Sequence, residues 1–314
     1  MDNLIYSLNA TVPVFAIIFL GWAFKKKNII NDEFVSVNNK LAFNVLFPVL
    51  LFKDISGMRL EESFDLRFFL TCFIMTVASI ALITLYTLLF VKEKSMRGSF
   101  IQGSFRSSAA ILGVSMAENL YGSAGLVPVM IIAAVPFYNF YSVIILTLGS
   151  RQEEKKIDMK KLIISIIKNP MIVSIFLGIP FSILNINFPT VIDKTINSLA
   201  SIATPLALLI VGAGFDSSDG FKEKMKPCAI ASFIKLVVQP GIFLPIAVLM
   251  GFREQELIAI LIMLGSPSTV SGFIMAKSMK NDSELASGIV VVTTILSAFT
   301  ITGMIYILKS FSLI

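Results

Sequence analysis

Apolar residues run along this chain in long blocks, and polar residues collect between them. A bilayer core about 30 Å thick takes roughly 20 residues of helix. A window of that length predicts ten segments: Leu4–Phe24, Val35–Phe52, Phe68–Val91, Ser99–Asn119 and Ala124–Leu148, then Leu162–Ile183, Ile196–Phe215, Pro227–Met250, Glu256–Met279 and Leu285–Leu308. The second and fourth are the least apolar. The one sizeable connection is the charged stretch Ser150–Lys161, which divides the chain into residues 1–149 and 162–314.

Composition agrees with this pattern. Hydrophobic residues make up 56% of the 314 positions and charged residues 15%, with a mean hydropathy of +0.85. Soluble domains carry about 25% charged residues, so a polytopic membrane protein is expected. There is no histidine, which rules out a Ser-His-Asp triad, a Cys-His pair and a His-ligated metal site. Cys72 and Cys228 lie in or beside apolar runs, as buried structural cysteines do. Gly212-Ala213-Gly214-Phe215-Asp216 misses the Gly-x-Gly-Asp spacing of intramembrane aspartyl proteases. No enzyme, metal or cofactor is expected.

The net charge of +6 comes from basic residues between the apolar runs, which orient membrane proteins and do not form a nucleic-acid patch. The loops after spans 1, 3, 5, 7 and 9 hold most of them, from Lys25–Lys27 through Lys92, Arg97 and Arg151 to Lys226, Lys277 and Lys280. That side is expected to be cytoplasmic, with both termini outside. No cleavable signal peptide is expected, since the first apolar run lacks a basic leader.

The two halves share a pattern. P-V-F-A-I-I-F-L-G (Pro13–Gly21) matches P-M-I-V-S-I-F-L-G (Pro170–Gly178), and Pro48 matches Pro205, both at an offset of 157 residues. Proline inside a helix costs about 3 kcal/mol unless compensated, so coincident prolines are informative. Five spans per half is an odd number, so the second copy would enter the membrane inverted. Such repeats are typical of secondary transporters, whose substrate sites lie near the midplane where interrupted helices meet.

Two interruptions fit. Span 4 contains Gly103-Ser104-Phe105-Arg106-Ser107-Ser108 and span 9 contains Gly265-Ser266-Pro267-Ser268-Thr269. Gly103, Gly265 and Pro267 are the expected helix breakers. Arg106 lies nine residues past Arg97, about 13 Å deep, and Pro267 eleven past Glu256, about 16 Å from the other side. Broken helices leave bare N–H groups and a partial positive charge, which suit an anion, and an intramembrane Arg adds a planar fork matched to carboxylate. Alternatively, Arg106 binds an internal partner, such as a carbonyl or Glu118. Ser107, Ser108, Ser266, Ser268 and Thr269 either touch ligand or satisfy freed backbone groups. Asn44, one turn before Pro48, and Tyr138-Asn139, after Pro136, are candidates to face a central cavity. Lys235, nine residues from Lys226, either snorkels toward the surface or has a function.

These residues resemble the auxin efflux carrier family, whose bacterial members are often described as malate or malonate permeases. The likeness rests on Pro13–Gly21, L-A-F-N-V-L-F-P (Leu41–Pro48), F-R-S-S-A-A-I-L-G (Phe105–Gly113), P-F-Y-N (Pro136–Asn139), A-T-P-L-A-L-L-I-V-G-A (Ala203–Ala213), G-S-P-S (Gly265–Ser268) and L-S-A-F-T (Leu296–Thr300). It covers nearly the whole chain. It implies an all-α fold of ten membrane helices in two inverted repeats, similar to bile-acid symporters and sodium/proton antiporters. Spans 1, 2, 6 and 7 would be a scaffold, spans 3–5 and 8–10 a mobile transport domain, and spans 4 and 9 would cross at the site. It further implies elevator-like transport of an organic anion across a prokaryotic plasma membrane, with a homodimer through the scaffold as one option. Span 4 departs from the pattern in having no proline at its break. Span 5 has no Asp or Glu, which excludes an antiporter-style aspartate pair there. The coupling ion, proton or sodium, stays open, and an anion channel built on the same breaks is the rival reading.

Overall fold

The computed structural model describes residues 13, 16–57, 65–109, 116–117, 121, 126–150, 159–214 and 219–314. Residues 4–12 and 14–15 of the first predicted span, Arg59, Ala110–Gly113, Glu118, Asp216 and the centre of the Ser150–Lys161 connection lie outside the described residues. Every element described is helical. Helix α1 covers 16–26, α2 Asp32–Ser56, α3 Leu66–Phe90, α4 Lys94–Phe105 and α5 Val127–Ser150. Next come α6 Met159–Ile167, α7 Pro170–Ile183 and α8 Thr190–Ala213. Helix α9 joins Asp219–Phe233 to Gln239–Leu249 through a π-turn at Ile234–Val238. Helices α10 (Glu254–Gly265), α11 (Val270–Ser278) and α12 (Ser283–Ser310) complete the order.

Among the described residues, seven stretches are long and apolar enough to cross a membrane, with α10 and α11 counted as one, and α7 is a shorter apolar helix. The α10–α11 stretch is the innermost. Its most apolar window is 83% buried, against 39–50% in the other six.

Prolines set the local irregularities. Proline withholds the N–H that would bond to the carbonyl four residues earlier. Both π-turns, Ala42–Leu46 in α2 and Ile234–Val238 in α9, end two residues before a proline, Pro48 and Pro240. The wider turn shifts the register so that Phe47 N bonds to Ala42 O and Gln239 N to Ile234 O. The sixth predicted span is not continuous: it divides into α6 and α7. A residue before proline is disfavoured in the helical region. Asn169 accordingly sits at ψ 127° and caps α7 by accepting from Met171 N at 3.0 Å.

Two apolar clusters hold the helices together. One joins α3, α4, α5, α9, α10 and α12 around Phe68, Phe100, Phe105, Met130 and Leu257, and includes both free cysteines, Cys72 and Cys228. The other joins α1, α2, α7 and α8 around Ile18, Phe47, Met171 and Leu208, and takes in Val143 and Leu146 of α5, Phe273–Ala276 of α11, and Ala286 and Val290 of α12. Within the second, glycines allow backbones to touch. A Cβ on Gly21 would strike the carbonyl of Leu209, and one on Gly178 would lie 3.3 Å from that of Phe52. Gly21 and Gly178 are 157 residues apart, and so are Phe52 and Leu209.

Gly212 faces the Ile18 carbonyl and Trp22 N at the same α1–α8 crossing. Gly212→Val is therefore expected to cost about 1–3 kcal/mol as overpacking and to lower the melting temperature in detergent. Gly303→Val, with no atom within 4 Å of the added Cβ, is expected to leave it unchanged. Equal melting of both variants would refute the close approach.

Candidate functional site

The two predicted breaks are present and touch. Helix α4 ends at Phe105, Arg106–Ser108 are non-helical, and helical conformation resumes at Ala109. Helix α10 ends at Gly265, and Ser266–Thr269 separate it from α11. Ser108 N donates to Pro267 O at 2.9 Å, one backbone bond between the breaks. The missing proline in span 4 is no obstacle, because Arg106 leaves the helix at ψ 136° while its N–H still bonds to Gln102 O.

A helix end leaves four carbonyls without intrahelical partners, and in an apolar interior each needs a donor. Side chains supply them here. Tyr138 Oη donates to Met263 O (3.1 Å) and Gln239 Nε2 to Ser104 O, while Ser107 Oγ adds a second donor (3.2 Å) to Ile262 O, which Ser266 N already bonds. Lys235 Nζ donates to Leu264 O (2.7 Å) and lies 3.4 Å from Phe105 O. Lys235 does not snorkel. It is fully buried, because the π-turn carrying it packs against α4 and α10.

Arg106 points the other way, toward the start of α11. Its Nη2 donates to Asn139 Oδ1 (2.6 Å) and Ser271 Oγ (2.8 Å), and its Nη1 to Ser142 Oγ (3.1 Å) and Met275 Sδ (3.0 Å). All four partners are neutral. Nε has no hydrogen-bond partner among the described residues, and the residue is 4% exposed. The guanidinium charge is permanent, and among the described residues no carboxylate pairs with it. Asn139 is held for this task by its own amide, which donates to Val135 O (3.0 Å).

A cavity of ≈ 260 Å³ opens beside Arg106. Ser107, Ser108, Asn139, Tyr138 and Thr269 line it from the crossing and from α5, and Phe47, Asp54, Met171 and Thr204 from α2, α7 and α8. It therefore spans the seam between the two apolar clusters. Thr269 caps α11 by accepting from Gly272 N, and Ser268 N donates to Thr293 Oγ1 (3.1 Å). The next N–H groups, of Val270 and Ser271, start the helix and have no intrahelical acceptor, and both residues line the cavity. The α2 lining is confined to Phe47–Asp54. Toward the other end of the bundle α2 and α11 meet directly, where Asn39 Nδ2 donates to Ser278 Oγ (2.8 Å).

Other expected site residues sit elsewhere. Asn44 is exposed and its amide donates to Lys40 O (2.9 Å). The π-turn and the Pro48 register place Phe47, Leu50 and Leu51 on the cavity face instead. Gly103 lies within α4 and breaks nothing; its missing Cβ admits Ile289 of α12. Ser266 and Ser268 are buried in the break without lining the cavity. Pro267 contributes its carbonyl to Ser108. Asp54, Ser142 and Ser271 were not anticipated. Ser142 is readable in hindsight, one turn beyond Asn139 on the same face of α5. Among the described residues no group of three His, Cys, Asp or Glu gathers to hold a metal ion.

Known proteins of the same kind match over almost the whole length. A protein of Rhizobium meliloti (strain 1021) named "Putative malonate transporter" is 25% identical over 307 residues, 95% of each chain. An "Uncharacterized transporter" of Methanothermobacter thermautotrophicus is 22% identical over 293 residues, covering 93% of this chain and 95% of its own. The "Uncharacterized transporter YfdV" of Escherichia coli (strain K12) is 23% identical over 281 residues, 87% of this chain and 88% of its own. Residues 6–305 match the family described as "Membrane transport protein", and with a match of that extent the chain belongs to this membrane transport family.

Proposed function

We propose that this membrane transport protein is a secondary carrier of a small organic anion, a carboxylate such as malate, malonate or an auxin-like acid, bound between Arg106 and the start of α11. The observation that carries this reading is the buried Arg106 guanidinium, which lines a small cavity and has only neutral partners among the described residues. Holding an unneutralised Arg at membrane depth costs at least ~2.5 kcal/mol, and an incoming carboxylate offsets that cost by charge-assisted bonds. The partial positive charge at the first turn of α11 adds to the attraction. The name of the Rhizobium relative points to the same substrate class.

The chain folds, in this proposal, as ten spans in two inverted five-helix repeats, with α1, α2, α6, α7 and α8 (spans 1, 2, 6 and 7) as scaffold and α3–α5 and α9–α12 (spans 3–5 and 8–10) as transport domain. The glycine–carbonyl contacts repeated at an offset of 157 residues support the repeat. A cavity lined on one side by α2, α7 and α8 and on the other by the crossing and α5 supports an elevator movement of the transport domain against the scaffold. Away from the cavity, α2 and α11 are joined directly by the Asn39–Ser278 hydrogen bond, and such a contact favours a carrier over an open pore. Both termini lie outside a prokaryotic plasma membrane, with the Lys-rich loops inside.

Counterflow in proteoliposomes loaded with malate, malonate, citrate or indole-3-acetate tests the carrier. Trans-stimulated uptake of one of them is expected, and folded protein without counterflow for any organic anion contradicts the reading. Arg106→Ala is expected to reduce that uptake about a hundredfold, the equivalent of ~3 kcal/mol of charge-assisted hydrogen bonding, with Arg106→Lys losing less. Wild-type uptake by folded Arg106→Ala protein would make the residue structural.

Pro267→Ala would restore an N–H able to reach Met263 O, the carbonyl now held by Tyr138, and so extend α10 into the break. Slower uptake at normal expression is expected. An unchanged rate and affinity would show that the geometry of the break does not matter.

A further inference from the structure

The carbonyl side of the crossing carries a second charge that anion binding does not use. Helices α4 and α10 both terminate there, and each helix C-terminus is equivalent to roughly −0.5 charge. Two such ends facing one point make about −1. Broken-helix ends of this kind are where carriers coordinate Na⁺ through backbone carbonyls. Here the place is taken. Lys235 Nζ lies 2.7 Å from Leu264 O and 3.4 Å from Phe105 O, one carbonyl from each terminating helix. The side chain is 0% exposed, and none of the ion pairs among the described residues involves it. One turn further on, Gln239 repeats the arrangement in neutral form: it donates to Ser104 O and accepts from Ser79 Oγ (2.6 Å). The π-turn at Ile234–Val238 brings both side chains to the crossing.

We propose that the Lys235 ammonium is the resident cation of the crossing, occupying the carbonyl site in which a carrier of this construction would bind a coupling Na⁺, and that transport is consequently independent of Na⁺. The consequence for transport rests on the carrier reading above; the occupancy of the carbonyl site does not. A tethered charge balances the two half-helix ends throughout the cycle, so the positive side at Arg106 stays available to an anion. Removing the tether frees the carbonyls and opens a space lined by them.

The test uses the full-length protein with NaCl exchanged for N-methyl-D-glucamine chloride at equal ionic strength, and reads both melting temperature and anion counterflow. Wild type is expected to melt and to transport equally in the two salts. Lys235→Met keeps the length of the side chain but neither donates nor carries charge. It is expected to lose about tenfold or more in counterflow, the factor for ~1.4 kcal/mol, in both salts. Lys235→Ala vacates the site and is expected to melt higher in Na⁺ than in N-methyl-D-glucamine, a difference that wild type lacks.

Wild-type counterflow that requires Na⁺, or wild-type rates in Lys235→Met, would overturn the proposal. So would a Lys235→Ala melting temperature indifferent to Na⁺. If the wild type shows no counterflow for any anion, the carrier reading fails, and the melting comparison still decides whether Lys235 holds a cation site. If Lys235→Ala does not fold, the same melting comparison is made on Lys235→Ser, where the same Na⁺-specific rise is expected and its absence overturns the proposal.

Discussion

The requirement that every backbone carbonyl at membrane depth find a donor governs this structure. Two helices stop in the middle of the protein, at Phe105 and Gly265, and a stop there would leave polar groups in apolar surroundings at a cost of several kcal/mol each. Ser107, Tyr138, Lys235 and Gln239 supply the donors, and Ser108 N bonds the two breaks to each other. Those four side chains come from α5, from α9 and from the break itself. The crossing therefore fixes where the neighbouring helices pack, as much as they fix it.

The same accounting makes the crossing electrically lopsided. Its carbonyl side receives a full positive charge from Lys235 against about −1 from the two helix ends. Its amide side combines the start of α11 with Arg106, which makes no ion pair with a described carboxylate. The cavity opens on the second side, where it meets Thr269, Val270 and Ser271. Asp54 lines the same cavity from α2, so a ligand there would touch α2 as well as the crossing.

Much of this was legible in the chain. The Gly-Ser-rich interruptions and Pro267 marked both breaks, and counting residues from Arg97 and Glu256 put them at one depth. The two π-turns, which lie just before Pro48 and Pro240, were not read from the chain. What linear reading missed was direction around a helix. Lys235 is nine residues from Lys226, close enough by rise to reach the surface, yet its π-turn aims it at the crossing. Asn44 has suitable depth but faces away from the cavity, since the same kind of turn puts Phe47 and Leu51 inward. Gly103 looked like a breaker and is a contact point for Ile289. The division of the sixth span at Asn169-Pro170 carried a local signal, an Asn before a proline, that the apolar run around it outweighed.

The most direct measurement is the melting temperature of purified wild-type and Arg106→Gln protein against rising concentrations of malonate, malate and indole-3-acetate, with a neutral amino acid as control. Binding to the folded state alone raises stability with ligand concentration. The account predicts a concentration-dependent rise for at least one carboxylate in wild type, none for the control, and none in folded Arg106→Gln protein. An equal rise in both proteins, or no carboxylate effect on either, would contradict it.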